Sequence, residues 1–167
     1  VDIDNNQVNT HINQSNNGVP IVNIGRLNTQ GVSHNRYKNY NVDATGIILN
    51  NSSKDEQTQL AGKIEGNTNL EKDESANLII NEITSTHTTT IEGYTEVAGD
   101  KADVVVANPN GITINNGGFI NTPRATITTG KINLQNGRLK NIKQNNGRIE
   151  IRENGVTSDG KISLYSD

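Results

Sequence analysis

From Ala102 onward the chain repeats one texture: β-forming segments of a few residues set between glycine and asparagine turns. They include Gly111-Ile112-Thr113-Ile114, Ala125-Thr126-Ile127-Thr128, Gly130-Lys131-Ile132, Gly137-Arg138-Leu139, Gly147-Arg148-Ile149 and Gly160-Lys161-Ile162. Strands this short are unstable in a flat sheet, but a solenoid can use them, because each segment pairs with its counterpart one coil above and one below. Ile112 and Ile132 are 20 residues apart, as are Ile114 and Leu134, so the spacing predicts coils of that length in a three-sided parallel β-helix.

Composition supplies the reason. Of 167 residues, 28 are Asn and 16 Gly, whereas only Phe119 and four Tyr are aromatic. Each coil must turn sharply two or three times, and Gly and Asn tolerate the positive φ that such corners require. Asn can also stack on Asn of the next coil in amide ladders. Ile, Val and Thr total 48 residues against 15 for Ala, Leu and Met, which excludes a helical bundle. The expected core is thin and aliphatic. No apolar run reaches the length of a membrane span. With a net charge of −3 and no Lys/Arg cluster, no nucleic-acid footprint is expected.

The expected organisation is a single domain: an irregular Asn- and Gln-rich cap over about residues 1–35, then β-helix coils over 36–167 with inserted loops or hairpins, and extra-helical β segments. A first coil needs such a cap because open sheet edges template aggregation. Ile47-Ile48-Leu49, Leu78-Ile79-Ile80 and Val104-Val105-Val106-Ala107 read as buried strands. The charged stretch from Lys54 to Leu60 reads as a helical turn or loop. Val1 opens a polar stretch rather than a leader, so the chain is expected to be cytoplasmic or a mature piece whose leader has been removed.

The sharpest local signal is Asn108-Pro109-Asn110-Gly111-Ile112, directly after the buried valines. Pro109 presets φ for the first central position of a type I turn, Asn108 is pushed to extended backbone and can bond back through its side chain, and Gly111 accepts left-handed φ. A well-made turn explains these residues by itself. Asn67-Thr68-Asn69-Leu70 is a relative of the pattern without the proline, and on spacing alone it is a loop. Chemistry is scarce: His11, His34 and His87 lack metal-ligand spacing, and no nucleophile elbow or phosphate loop is present, so neither an enzyme nor a cofactor is expected.

The order of motifs carries a resemblance. Gly31-Val32-Ser33-His34-Asn35-Arg36-Tyr37, Gly46-Ile47-Ile48-Leu49-Asn50-Asn51-Ser52, Gly66-Asn67-Thr68-Asn69-Leu70, Gly93-Tyr94-Thr95-Glu96-Val97-Ala98-Gly99, Ala102-Asp103-Val104-Val105-Val106-Ala107-Asn108-Pro109-Asn110-Gly111-Ile112 and Gly118-Phe119-Ile120-Asn121-Thr122-Pro123-Arg124 follow one another. This order, from about Val19 to Gly130, closely resembles the amino-terminal secretion domain of two-partner secretion exoproteins. That family includes filamentous haemagglutinin, secreted haemolysins and contact-dependent inhibition proteins.

The resemblance implies a right-handed parallel β-helix with an amino-terminal cap, forming part of a larger exoprotein. It implies a monomeric export address recognised in the Gram-negative periplasm by the POTRA domains of a dedicated outer-membrane β-barrel. The chain then crosses that barrel unfolded and folds outside, secreted or held at the cell surface, without inserting into the membrane itself. The family's two marker motifs, Asn-Pro-Asn-Leu and Asn-Pro-Asn-Gly-Ile, fall on Asn67, Asn69 and Leu70, with Thr68 in place of proline, and on Asn108, Pro109, Asn110, Gly111 and Ile112. The alternative expectation is a surface adhesin module that binds glycans or host proteins directly.

Overall fold

The computed structural model describes residues 1–7, 9–143 and 146–166, and among these it contains strands and no helix. Strands β1 (Asp2–Ile3) and β2 (His11–Gln14) are followed by β3 (Pro20–Asn23), β4 (Val32–Asn39) and β5 (Ile47–Asn51). A hairpin of β6 (Glu56–Thr58) and β7 (Gly62–Ile64) leads to β8 (Leu78–Ile83), β9 (Thr89–Ile91) and β10 (Tyr94–Gly99). The next circuit adds β11 (Asp103–Ala107), β12 (Ile112–Ile114) and β13 (Gly117–Ile120). After β14 (Arg124–Thr128) comes a second hairpin, β15 (Lys131–Gln135) and β16 (Arg138–Lys143), and then β17 (Ile149–Ile151), β18 (Val156–Ser158) and β19 (Lys161–Tyr165).

These strands build three faces of a parallel β-helix. The first face runs β4-β8-β11-β14-β19, the second β3-β5-β10-β13-β18 and the third β9-β12-β17, with every neighbouring pair parallel. The antiparallel strands β1 and β2 border β4 and β3 at the first end of the solenoid. Inside, aliphatic side chains stack in columns such as Ile79, Val104 and Ala125, joined by Phe119, all nearly inaccessible. Tyr37 and Tyr40 meet edge to face in the first coil, with centroids 4.9 Å apart.

The 20-residue period does not hold. Ile112 and Ile114 stack on Ile149 and Ile151, whereas Ile132 and Leu134 belong to the antiparallel hairpin β15–β16. Coil length varies, with stacked positions falling at Ile79, Val104, Ala125 and Ile162. Two of the four Gly-basic-aliphatic openings start coil strands β17 and β19, and the other two start the arms of the hairpin. The stretch from Lys54 to Leu60, expected as a helical turn or loop, contains strand β6 flanked by bend and turn residues and no helical turn.

The inserted hairpins explain why several strands are apolar on both faces. The outward side chains of Ile21, Ile48 and Ala98 are covered by Ile64 and Leu60 of the β6–β7 hairpin. On another face Val32, Ile80, Val105 and Ala107 are covered by Ile132, Leu134 and Leu139 of β15–β16. Covering a large aliphatic side chain in this way stabilises by about 1.5–3 kcal/mol. The tip of β15–β16 turns on Asn136 and Gly137, both at positive φ as the two-residue hairpin turn demands. It reaches back to the first coil, where Asn28 Nδ2 donates to Gly137 O at 2.7 Å and Arg138 Nε to Gln30 Oε1 at 2.7 Å.

Candidate functional site: two asparagine turns

Asn108 and Asn67 each sit at a corner where the chain leaves one face for the next, and both side chains are buried. At the second motif Gly111 N donates to Asn108 O at 3.2 Å, closing a four-residue turn around Pro109 and Asn110. Inside it Asn110 N donates to Asn108 Oδ1 at 2.9 Å. The first motif closes the same way without proline: Leu70 N donates to Asn67 O at 3.2 Å and Asn69 N to Asn67 Oδ1 at 2.9 Å. The carboxamide rather than the pyrrolidine ring therefore defines the turn, which is why the motif with Thr68 in place of proline closes like the one with Pro109.

The amide of each leading asparagine points back into the preceding coil. Asn108 Nδ2 donates to His87 O at 2.9 Å and to Thr89 Oγ1 at 2.8 Å. Asn67 Nδ2 donates to Ile24 O at 2.9 Å and to Asn50 O at 3.0 Å. The second asparagine of each motif repeats the gesture: Asn110 Nδ2 reaches Ser85 O at 2.7 Å, and Asn69 Nδ2 reaches Asn9 O at 2.8 Å and Ile24 O at 3.0 Å. Asn108 Oδ1 also accepts from Asn110 Nδ2 at 2.9 Å, so both donors and both acceptor positions of the Asn108 carboxamide are occupied. All of these groups are neutral, so the corners themselves carry no titration.

Glycine is required here for two different reasons. Gly111 has φ +122°, where an L side chain is strained although space for a Cβ is present. Gly147, one coil on, has no room at all, since a Cβ would lie 2.5 Å from Pro109 O. Ile112 and Leu70 close the motifs as buried apolar plugs, while Asn110 and Thr68 are exposed and Pro109 and Asn69 half-buried. The part of each corner that reaches the surface is thus Pro109 with Asn110 in the one and Thr68 with Asn69 in the other.

Other asparagines, outside the two marker motifs, act similarly. Asn51 Nδ2 donates to Ala76 O and Asp100 O, and Asn121 Nδ2 to Val97 O and Gly99 O. A true amide rung joins Asn50 Nδ2 to Asn23 Oδ1 at 3.0 Å, at positions paired in the β3–β5 register. Most of the expected ladder is replaced by amide-to-carbonyl bonds between coils. Buried Glu96 is a further residue without a sequence signal: its carboxylate accepts from Gln59 N and Leu60 N at 2.9–3.0 Å and pins the β6–β7 hairpin, from partners 36 and 37 residues away. Among the histidines, His34 Nε2 meets Glu82 Oε2 at 2.6 Å across β4 and β8. Among the described residues no group of three or more His, Cys, Asp or Glu is arranged to hold a metal ion.

The family model described as the TPS secretion domain matches residues 1–167. Among curated relatives, the protein named 16S rRNA endonuclease CdiA of Enterobacter cloacae subsp. cloacae is 48% identical over 163 residues, which is 95% of this chain and 5% of that protein. The protein named Hemolysin of Proteus mirabilis is 37% identical over 153 residues, 90% of this chain and 10% of that one. The chain therefore spans a small part of the relatives it matches, and their names describe those whole proteins. The crystal structure of filamentous hemagglutinin secretion domain superposes with a TM-score of 0.89 at 34% identity, over 96% of this chain and 54% of that one.

Proposed function

The chain belongs to the TPS secretion domain family, and from that premise we propose that it directs a large exoprotein to an outer-membrane β-barrel transporter and then nucleates that protein's folding outside the cell. The transporter's periplasmic POTRA domains receive the chain while it is unfolded. The two asparagine turns act after passage, as latches that fasten each emerging coil to the one before. The single observation that carries this reading is the saturation of Asn108. Its amide finds His87 O and Thr89 Oγ1 only when the preceding coil is already in place.

Parallel coils suit this order of events, since each coil contacts its neighbours and can template the next. The chain has no cysteine, so no disulfide can form before passage. Capture is tested by diluting the urea-unfolded chain onto immobilised POTRA domains of the partner transporter. The reading expects binding that is lost as the chain folds. Capture of the folded chain alone, or no capture at any stage, refutes it.

A further inference from the structure

The sequence shows no run of adjacent cations, yet the fold assembles them. From residue 104 to residue 149 the chain carries six Lys or Arg and no Asp or Glu, within a molecule of net charge −3. Four of the six, Lys131, Arg138, Lys140 and Lys143, are exposed on the β15–β16 hairpin, whose apolar side chains lie inward. Register sets Lys131 directly opposite Lys143, an arrangement that is repulsive without an anion between them. Among the described residues none of the four has a carboxylate within ion-pair distance. A register shift in the hairpin leaves Lys140 as the unpaired residue of a bulge, a device that re-aims a side chain.

Among the described residues strand β16 pairs with β15 alone, so no strand borders its second edge. Alongside that edge runs a groove of about 590 Å³ between β16 and the outer side of β14 and β19. Its walls include Leu139, Ile142, Leu164 and Tyr165, and no residue of β15 borders it. Tyr165, in register with Thr128 on the outer side of the sheet, is 54% exposed beside a cationic rim. An unpaired strand edge, an apolar trough and unneutralised cations together suit one kind of occupant.

We infer that this edge binds an acidic, extended polypeptide segment as an added strand. Backbone groups of the segment pair with β16, its carboxylates meet Lys140 and Lys143, and its apolar side chains enter the groove. A phosphate, glycan or lipid anion would satisfy the cations but would leave the strand edge unused. The surface exists only once the coils that carry β4, β8 and β11 are folded, because the hairpin rests on all three, and it is separate from the asparagine turns.

The test uses the 167-residue chain and a fluorescent ten-residue peptide of alternating Glu and Val, followed by anisotropy. Saturable binding is expected, weakened about tenfold by Lys140→Glu or Lys143→Glu. Lys143→Glu places an opposite charge against Lys131, so it supports the hairpin while removing the docking charge. N-methylation of alternate peptide nitrogens should abolish binding, and the Lys-Val peptide should not bind. Absence of saturable binding, equal binding of the N-methylated peptide, or preference for duplex DNA, heparin or phosphatidylglycerol vesicles over the acidic peptide would each overturn the inference.

Discussion

Asn108→Ala isolates the latch. The substitution removes four hydrogen bonds: two from Nδ2 to His87 O and Thr89 Oγ1, and two to Oδ1 from the backbone and side chain of Asn110. A hydrogen bond contributes about 0.5–1.5 kcal/mol net, with the larger values where the abandoned partner is buried. Thr89 is fully buried and Asn110 exposed. Counting about 1 kcal/mol for each Nδ2 bond and about 0.5 kcal/mol for each bond to Asn110, the loss is about 3 kcal/mol. With a urea dependence of about 2 kcal/mol per M for a domain of this size, the unfolding midpoint falls by about 1.5 M. Asn108→Asp keeps the acceptor for Asn110 N but turns an oxygen toward His87 O in a buried corner, so it should be at least as damaging. A midpoint within about 0.3 M of the parent chain for Asn108→Ala would refute the reasoning, because it would mean that the saturated amide contributes no more than an exposed one.

Three further outcomes follow from the same structure. Thr68 occupies the place of Pro109 in the first turn, and among the described residues its amide makes no hydrogen bond, so Thr68→Pro should raise stability by about 0.4–1 kcal/mol in urea unfolding. Tyr37 Oη donates to buried Asn81 Oδ1 at 2.8 Å, while the Tyr40 hydroxyl lies near Thr95 outside hydrogen-bond geometry; Tyr37→Phe should cost about 1–2 kcal/mol and Tyr40→Phe should be neutral or stabilising in the same assay. The hydroxyl and then the backbone N–H of Thr45 donate to Asp43 and hold its carboxyl below the usual range. Its contribution is therefore complete above about pH 4, the unfolded value, and is lost as pH falls through the lower folded pKa. Thr45→Val should raise the Asp43 pKa in an NMR titration, and an unmoved titration would contradict this assignment.

The faces of the solenoid were legible because their physics is local. Ile47-Ile48-Leu49 and Val104-Val105-Val106 are apolar at consecutive positions, a pattern that requires cover on both sides, and both are strands buried on both faces. The corner at Asn108 was legible from Pro109 and Gly111. Asn67-Thr68-Asn69-Leu70 was legible as a relative of that pattern, but the bonds of its leading amide were not, since they go to carbonyls of Ile24 and Asn50 that only folding brings near. The uniform period failed because two hairpins are spliced between coils. The second announces itself by Asn136-Gly137 between alternating Ile132, Leu134, Leu139 and Ile142, a hairpin signature that a search for repeats passes over. The cationic plate was invisible for a related reason: Lys131 and Lys143 are neighbours only through antiparallel register.

The most direct test of the central claim is the fraction of a reporter, fused after residue 167, that reaches the medium from Gram-negative cells with and without the partner transporter. The account predicts export only when the transporter is present, and a several-fold loss when Asn67 and Asn108 are both replaced by alanine. A reporter that remains in the periplasm beside a functional transporter, or that leaves equally well with both asparagines removed, would contradict it.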